Sequence, residues 1–329
     1  MLRLPIFNYT SPQTVAEAVA LKKEHGRHAM YVAGGTDLYP KMKRRQMEPQ
    51  LLIGLSDIAE LRSFNNGTGV TIGAGMTLTE IANHPQIKAQ YPALAKSTAL
   101  VSSPPLRNVG TIGGNLCVDT RCTYYDQTFE WRQALGFCKK KDGDICWVAK
   151  SSPKCLAVSS SDTAPVMIAL GAQVRLVGPD GERTIPLEAM YQNDGQFYLT
   201  KAADELLVSI HLPPRTGWRM TYLKLRRRGT IDFPILGVAA AVKLDDEGVC
   251  VDGRVVLGAV SSQPIPLDKE VQNMLIDQKL TPALIDQFAQ KAYRPAKPMD
   301  NTDMSLSYRK KVTRVFIGRA LAEIIEIGD

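Results

Sequence analysis

Between residues 11 and 26 the chain reads SPQTVAEAVALKKEHG, with apolar Val15, Ala18, Val19 and Leu21 spaced to share one face of a helix. Ser11 is the expected N-cap, Pro12 fits the first helical position, and Gly26 supplies the left-handed stop. AMYVAG then reads as a strand, followed by Gly34-Gly35 and a second helix opened by Thr36 or Asp37. LLIGLSD predicts another strand. VTIGAGMTLTEIANHP predicts strand, turn and helix, and RNVGTIGGNL a loop ending in a Gly-Gly turn. Further on, DTAPVMIALGAQVRLVGPDGERTIPL predicts a helix, a strand and a hairpin.

PPRTGW at 213–218 interrupts the apolar runs with two prolines and a glycine and marks a linker. Beyond it MTYLKL, ILGVAAAVKL and RVVLGAV predict strands, and two helices follow. TPALIDQFAQKAY has Thr281 as N-cap with Pro282 behind it; SYRKKVTRVFIGRALAEII puts Val312, Val315, Phe316, Ala320 and Ile324 on one stripe. Strands and helices mix without regular βαβ alternation, so the fold class is α+β. The linker sets off a C-terminal α+β domain at 216–329.

At 329 residues each division can bury its own core without disulfides. Pro5, Asn8 and Pro12 break the opening residues before any signal-like apolar run, and no window approaches a membrane span. The chain therefore reads as soluble and cytoplasmic, with no membrane partner. Its net charge is +7, yet the basic residues are dispersed except in KMKRR (41–45), CKKK (138–141) and KLRRR (224–228). Short runs of this kind are usually solvated faces, and with no recognition motif beside them nucleic acid is not an expected partner.

Two short stretches resemble each other: VAGGTDL at 32–38 and TIGGNL at 111–116. Each puts Gly-Gly after apolar residues and before a short polar one. Such loops either turn tightly or let backbone N–H groups converge on an anion, and two together would clamp a diphosphate. IGAGMTLTE lacks the third glycine of the dinucleotide fingerprint, and no P-loop is present.

Four of the six cysteines, Cys122, Cys138, Cys146 and Cys155, fall within 34 residues at C-x15-C-x7-C-x8-C. That spacing has neither the close pair of most zinc sites nor the bacterial ferredoxin run, so zinc, iron–sulfur and free thiols all remain open. Cys117 and Cys250 read as ordinary small buried residues.

With these residues in view, the chain resembles the flavin-binding medium subunits of the molybdenum hydroxylase (xanthine dehydrogenase) family. VAGGTDL and RNVGTIGGN match the two FAD loops, SSDTAP at 160–165 matches the SD-x-x-P segment, and YLKLRRRGTIDFP matches a lysine-bearing strand. The resemblance implies two FAD-binding subdomains, at 1–57 and 58–215, and a C-terminal α+β domain at 216–329. It implies that Val32, Ala33, Gly34, Gly35, Thr36 and Asp37 cradle the FAD diphosphate, flanked by Tyr31 and Leu38. Thr111, Ile112, Gly113, Gly114 and Asn115 would form the second loop. Val101 would lie near the flavin, Asp162 at the adenosine ribose, Leu207 beside the adenine and Lys224 at the flavin. Without the resemblance Asp162 reads as a helix N-cap, Lys224 as an exposed strand lysine, and Asp37, whose charge opposes a diphosphate, as a helix cap.

Relatives of this kind pass directly from the second loop to the SD-x-x-P helix, whereas here 46 residues separate Asn115 from Asp162. The surplus is an insert at about 118–158 holding the four cysteines. The resemblance implies a 4Fe-4S cluster on Cys122, Cys138, Cys146 and Cys155 in an electron-transfer subunit. Molybdopterin and 2Fe-2S clusters would reside on a large and a small partner subunit, in a dimer of heterotrimers. It further implies reduced ferredoxin as donor, steered by Lys139, Lys140, Lys141 and Lys150, and reductive loss of a phenolic hydroxyl from an aromatic CoA thioester bound elsewhere. The alternatives are the FAD subunit of an oxidising molybdenum hydroxylase and a zinc-stapled basic binding protein.

Overall fold

The computed structural model describes residues 2–326. The first unit is a parallel sheet in the order β1-β3-β2, built from β1 (Asn8–Thr10), β2 (Ala29–Val32) and β3 (Leu51–Gly54). α1 (Val15–His25) links β1 to β2, and α2 (Leu38–Lys43) links β2 to β3. α1 starts later than Ser11-Pro12 predicts. Thr14 is the N-cap, its hydroxyl accepting from the Glu17 N–H at 3.1 Å, while the Ser11 hydroxyl turns to Tyr9 Oη. The buried face is Val15, Ala18, Val19 and Lys22 rather than Leu21. Lys22 Nζ donates to the carbonyls of Gly26 and Ala29 at 2.7 and 2.6 Å, satisfying groups that a helix end leaves open.

The second unit centres on an antiparallel sheet whose first strands are β4 (Phe64–Gly67) and β5 (Gly69–Gly73). Helices α3 (Leu78–Asn83), α4 (Pro85–Gln90), α5 (Pro92–Ala99), α6 (Pro104–Arg107) and α7 (Ile112–Leu116) follow. α3 opens with a full capping box: the Thr77 hydroxyl accepts from the Glu80 N–H, and Glu80 Oε2 accepts from the Thr77 N–H at 2.7 Å. Thr77→Ala is expected to cost about 1 kcal/mol, read as a lower midpoint in chemical denaturation. The second Gly-Gly pair is not the turn expected of it. Gly113 and Gly114 lie inside α7, because Thr111 caps the Gly114 N–H at 3.1 Å and winds the segment into helix.

Within 118–158 the only helix is α8 (Phe129–Ala134). α9 (Thr163–Ala169) then runs through the core, and β6 (Gln173–Gly178), β7 (Gly181–Pro186) and β8 (Leu206–Leu212) complete the sheet in the order β4-β5-β8-β6-β7. Ile72, Leu94, Met167, Val174 and Ile210 form its packed centre.

The third unit is an antiparallel sheet in the order β12-β11-β10-β9, from β9 (Trp218–Leu225), β10 (Leu236–Leu244), β11 (Cys250–Gly258) and β12 (Ile265–Pro266). α10 (Lys269–Gln272), α11 (Pro282–Ala292) and α12 (Leu306–Glu326) follow it. Phe288 of α11 and Ile317, Leu321 and Ile324 of α12 pack with Val238 and Val255 of the sheet. Of the stripe expected on α12, Ala320 and Ile324 are buried and Val312 and Phe316 pack against the core from its edge, while Val315 is 46% exposed; Thr313, Ile317 and Leu321 complete the buried face. Arg309 joins this buried face, donating to the carbonyls of Ala259 and Met299 at 2.7 and 2.8 Å.

The insert is not a free-standing lobe. Arg121 and Val158 close its base through reciprocal backbone hydrogen bonds of 2.8 and 2.7 Å. Arg132 donates to the carbonyls of Arg44 and Arg45 just past α2, and Gln46 Nε2 donates to the Tyr125 carbonyl. Gly195 donates to the Cys155 carbonyl in the second unit, and Asn301 of the third donates to the Leu156 carbonyl at 2.6 Å. One irregular segment therefore touches all three units.

Candidate functional site

The two Gly-Gly segments meet. A Cβ on Gly34 would lie 1.9 Å from the Val109 carbonyl oxygen, so the first loop rests directly on the backbone that enters the second. Gly35 takes φ +68°, which re-aims the chain into α2. The second loop is fixed from below, the N–H groups of Ile112 and Gly113 donating to the carbonyls of Met76 and Ala74 at 2.9 and 2.8 Å.

Around this contact open two adjoining chambers, one of about 890 Å³ and one of about 440 Å³. Tyr31, Ala33, Gly34, Thr111 and Gly114 line both. Gly113 and Leu207 face the larger; Val32, Gly35, Thr36, Asp37, Leu38, Val101, Asn115 and Asp162 face the smaller. Two of the expected residues line neither chamber. Ile112 is core beneath α7, and Lys224 is buried behind the wall.

Lys224 is not an exposed strand lysine, and Asp162 makes no side-chain cap to α9. The Asp162 carboxylate instead accepts from Lys224 Nζ and Tyr222 Oη, each at 2.8 Å, with the two charged side chains 1% and 3% exposed. Burial draws both toward neutrality, raising the Asp162 carboxyl and lowering the Lys224 amine, while each partly restores the other's charge. Asp37 is likewise no cap: its carboxylate pairs with Arg121, which neutralises it beside the loop. Asn115 ties the second loop to the start of α9, its Oδ1 accepting from Ser161 and Thr163 hydroxyls at 2.8 and 2.7 Å.

Sequence reasoning missed several wall residues. Lys22, Arg62 and Lys201 bring cationic side chains to the larger chamber, and Ser160, on the wall of the smaller, has a buried hydroxyl with no partner among the described residues. Cys117 and Tyr198 border both chambers, and Cys117 is only partly buried, so it is not the ordinary core residue expected. Tyr198 lies outside every motif, and nothing in its neighbourhood of sequence marks it. Ser160, by contrast, stands inside SSDTAP.

Cys122, Cys138, Cys146 and Cys155 are all buried and together line one small cavity under Tyr124, Tyr125 and Trp147. Burial pushes the Cys122 thiol up to about 12 and the Cys155 thiol to about 11. Among the described residues no three His, Cys, Asp or Glu stand ready to hold a metal ion. Cys250, at the start of β11, is buried as expected.

The basic runs are not simple solvated faces, since each hides one lysine in an ion pair. Lys41 is 2.8 Å from Asp119 Oδ2, Lys140 is 2.7 Å from Asp119 Oδ1, and Lys224 is paired with Asp162. Lys140 is therefore removed from the set expected to steer ferredoxin.

Comparison with known proteins agrees with this geometry. Residues 5–215 match the family described as FAD binding domain in molybdopterin dehydrogenase, and residues 220–324 match the CO dehydrogenase flavoprotein C-terminal domain. The carbon monoxide dehydrogenase medium chain of Afipia carboxidovorans is 29% identical over 96% of this chain and 95% of its own. The aldehyde oxidoreductase FAD-binding subunit PaoB of Escherichia coli is 32% identical over 78% of this chain and 82% of its own. A solved carbon monoxide dehydrogenase from Hydrogenophaga pseudoflava, lacking the Mo-pyranopterin moiety of its molybdenum cofactor, superimposes with a TM-score of 0.80 at 26% identity, covering 97% of each chain. Paired glycine loops, two chambers and two consecutive domain matches together make this chain a member of the FAD-binding medium-subunit family of the molybdenum hydroxylases.

Proposed function

We propose that the chain is the flavin subunit of a reductive molybdenum enzyme of the 4-hydroxybenzoyl-CoA reductase type, carrying a 4Fe-4S cluster on Cys122, Cys138, Cys146 and Cys155 beside FAD. The observation that carries this reading is the convergence of four buried thiols on one cavity in an insert fastened to the segments around both FAD loops. The FAD site fits its cofactor on its own terms: the two chambers suit the two halves of a dinucleotide, and the buried Ser160 hydroxyl, with no partner among the described residues, is free to meet a polar group of the ligand. The thiol set fits a cluster rather than a single ion: among the described residues no three such groups stand ready for one metal ion, whereas all four cysteines line one cavity and offer soft sulfur donors of the kind that bind iron.

FAD, when bound, supplies exchange between one-electron and two-electron carriers. The chain's own residues hold it, exclude water and separate it from the thiol cavity. The reaction served would replace a phenolic hydroxyl of an aromatic CoA thioester by hydrogen, consuming two electrons and two protons and releasing water. The electrons would come one at a time from reduced ferredoxin. The substrate would bind a molybdopterin-containing large subunit, with a 2Fe-2S small subunit between, in a dimer of heterotrimers. A second reading, the FAD subunit of an oxidising hydroxylase, is favoured by the carbon monoxide dehydrogenase and aldehyde oxidoreductase relatives.

Anaerobic purification followed by iron, sulfide, zinc and flavin analysis separates the readings. Iron and sulfide in equal amounts, about four of each per chain beyond those of the partners, support the reductive assignment. Zinc without iron, or free thiols, leaves the oxidising reading. Cys138→Ser and Cys146→Ser should each remove that iron while FAD is retained; loss of FAD with iron intact contradicts the ligand assignment.

A further inference from the structure

Between the FAD loops and the thiol cavity, Asp119 on the wall of the smaller chamber forms a set of buried charges with Lys41 and Lys140. Asp119 follows the second loop by four residues. Its Oδ2 lies 2.8 Å from Lys41 Nζ, and Lys41 belongs to α2, which continues from the first loop. Its Oδ1 accepts from Lys140 Nζ at 2.7 Å, and Lys140 stands between Cys138 and Cys146 and itself lines the cavity. Lys140 also donates to Thr120 Oγ1 at 2.7 Å and to the Gly195 carbonyl at 2.6 Å. Both ammonium groups stand near the Tyr125 ring, Lys41 at 4.7 Å and Lys140 at 4.9 Å from its centre.

The side chains of Lys41, Asp119 and Lys140 are only 1%, 6% and 5% exposed. Two ammonium groups around one carboxylate leave an excess of positive charge where water cannot screen it. The other nearby carboxylate, Asp126, is 3.6 Å from Lys41 but is shared with Arg121 and Arg44. Neutral side chains of the same volume would commonly stabilise such an interior as well or better, so fold stability gives little reason for these charges. A charge beside a redox centre has a direct effect of another kind, since net charge around an iron–sulfur site is one of the levers on its potential.

Resting on the reading that the four cysteines hold an iron–sulfur cluster, we infer that Lys140 and Asp119 tune the reduction potential of that centre in opposite senses. Lys140 favours the more negative, reduced state, Asp119 opposes it, and Lys41 holds Asp119 in place from the side of the FAD loops. All three are positioning and charge-setting residues, and none is a ligand.

The test is an EPR-monitored redox titration of the anaerobically purified holoenzyme complex, comparing the unsubstituted protein with Lys140→Met and Asp119→Asn. Removing the positive charge should shift the cluster midpoint to more negative values, and removing the negative charge to more positive values, with iron, sulfide and flavin contents unchanged. Shifts of the same sign, or no shift in either variant, overturn the inference. Loss of the cluster from Lys140→Met with FAD retained also overturns it, making the lysine a structural staple. If Lys140→Met does not accumulate, the sign of the Asp119→Asn shift decides alone. A cluster missing from the unsubstituted protein, shown by iron and sulfide analysis, defeats the functional reading itself, whereas wrong signs in a loaded protein defeat only the tuning.

Discussion

Lys224→Met is expected to lower the unfolding free energy by about 3–5 kcal/mol, because it leaves the Asp162 carboxylate in the interior with its cation gone. Tyr222 Oη would remain as a donor, but one phenol does not replace an ammonium that is itself 1% exposed. At about 2–4 °C per kcal/mol for a domain of this size, the melting temperature should fall by roughly 10 °C in differential scanning calorimetry. The paired variant Asp162→Asn/Lys224→Met removes both charges and should recover much of the loss. If the pair falls by the sum of its single variants, the ion pair is not the cause and the effect is one of packing alone.

Gly34→Ala should weaken FAD binding by about tenfold to a hundredfold. The new methyl would have to sit 1.9 Å from the carbonyl oxygen and 2.5 Å from the carbonyl carbon of Val109. Both are backbone atoms and cannot rotate aside, so the first loop must lift from the second and separate the two walls. Overpacking of this kind commonly costs 1–3 kcal/mol, about one to two decades of affinity if the strain falls on the loaded state. The measurement is flavin retained per chain after gel filtration, with Gly67→Ala as the control, since a methyl there meets nothing within 4 Å. Equal flavin content in the two variants would show that the loops are not pressed together by the close approach at Gly34.

How much was legible in the sequence divides along a physical line. Local signals worked: the Thr281-Pro282 start of α11, the Gly26 stop and the strand at Ala29–Val32 all depend on residues near them in the chain. The pairing of the two Gly-Gly segments was visible as a likeness, but not the reason for Gly34, which depends on Val109 more than 70 residues away. The cap of α1 was decided locally, Ser11 turning to Tyr9 two residues away while Thr14 took the Glu17 N–H. Two failures share one cause, a long-range partner that overrides local preference: Asp37 and Asp162 left their helices for Arg121 and Lys224. Charge patterning misread Lys41, Lys140 and Lys224 for the same reason, since a run of cations in sequence does not say which member has a carboxylate waiting in the interior.

The stitching of the cysteine segment across three units also decides whether it is portable. Residues 118–158 taken out of this chain would carry Asp119 without Lys41, Tyr125 without Gln46, Arg132 without the carbonyls past α2, Cys155 without Gly195 and Leu156 without Asn301. Each orphan would be a buried charge or polar group lacking its counterpart. A transplant would have to carry those scattered positions along with the loop, and a deletion would strand the same positions in the donor. The segment is one stretch along the chain; in three dimensions its partners are spread over all three units.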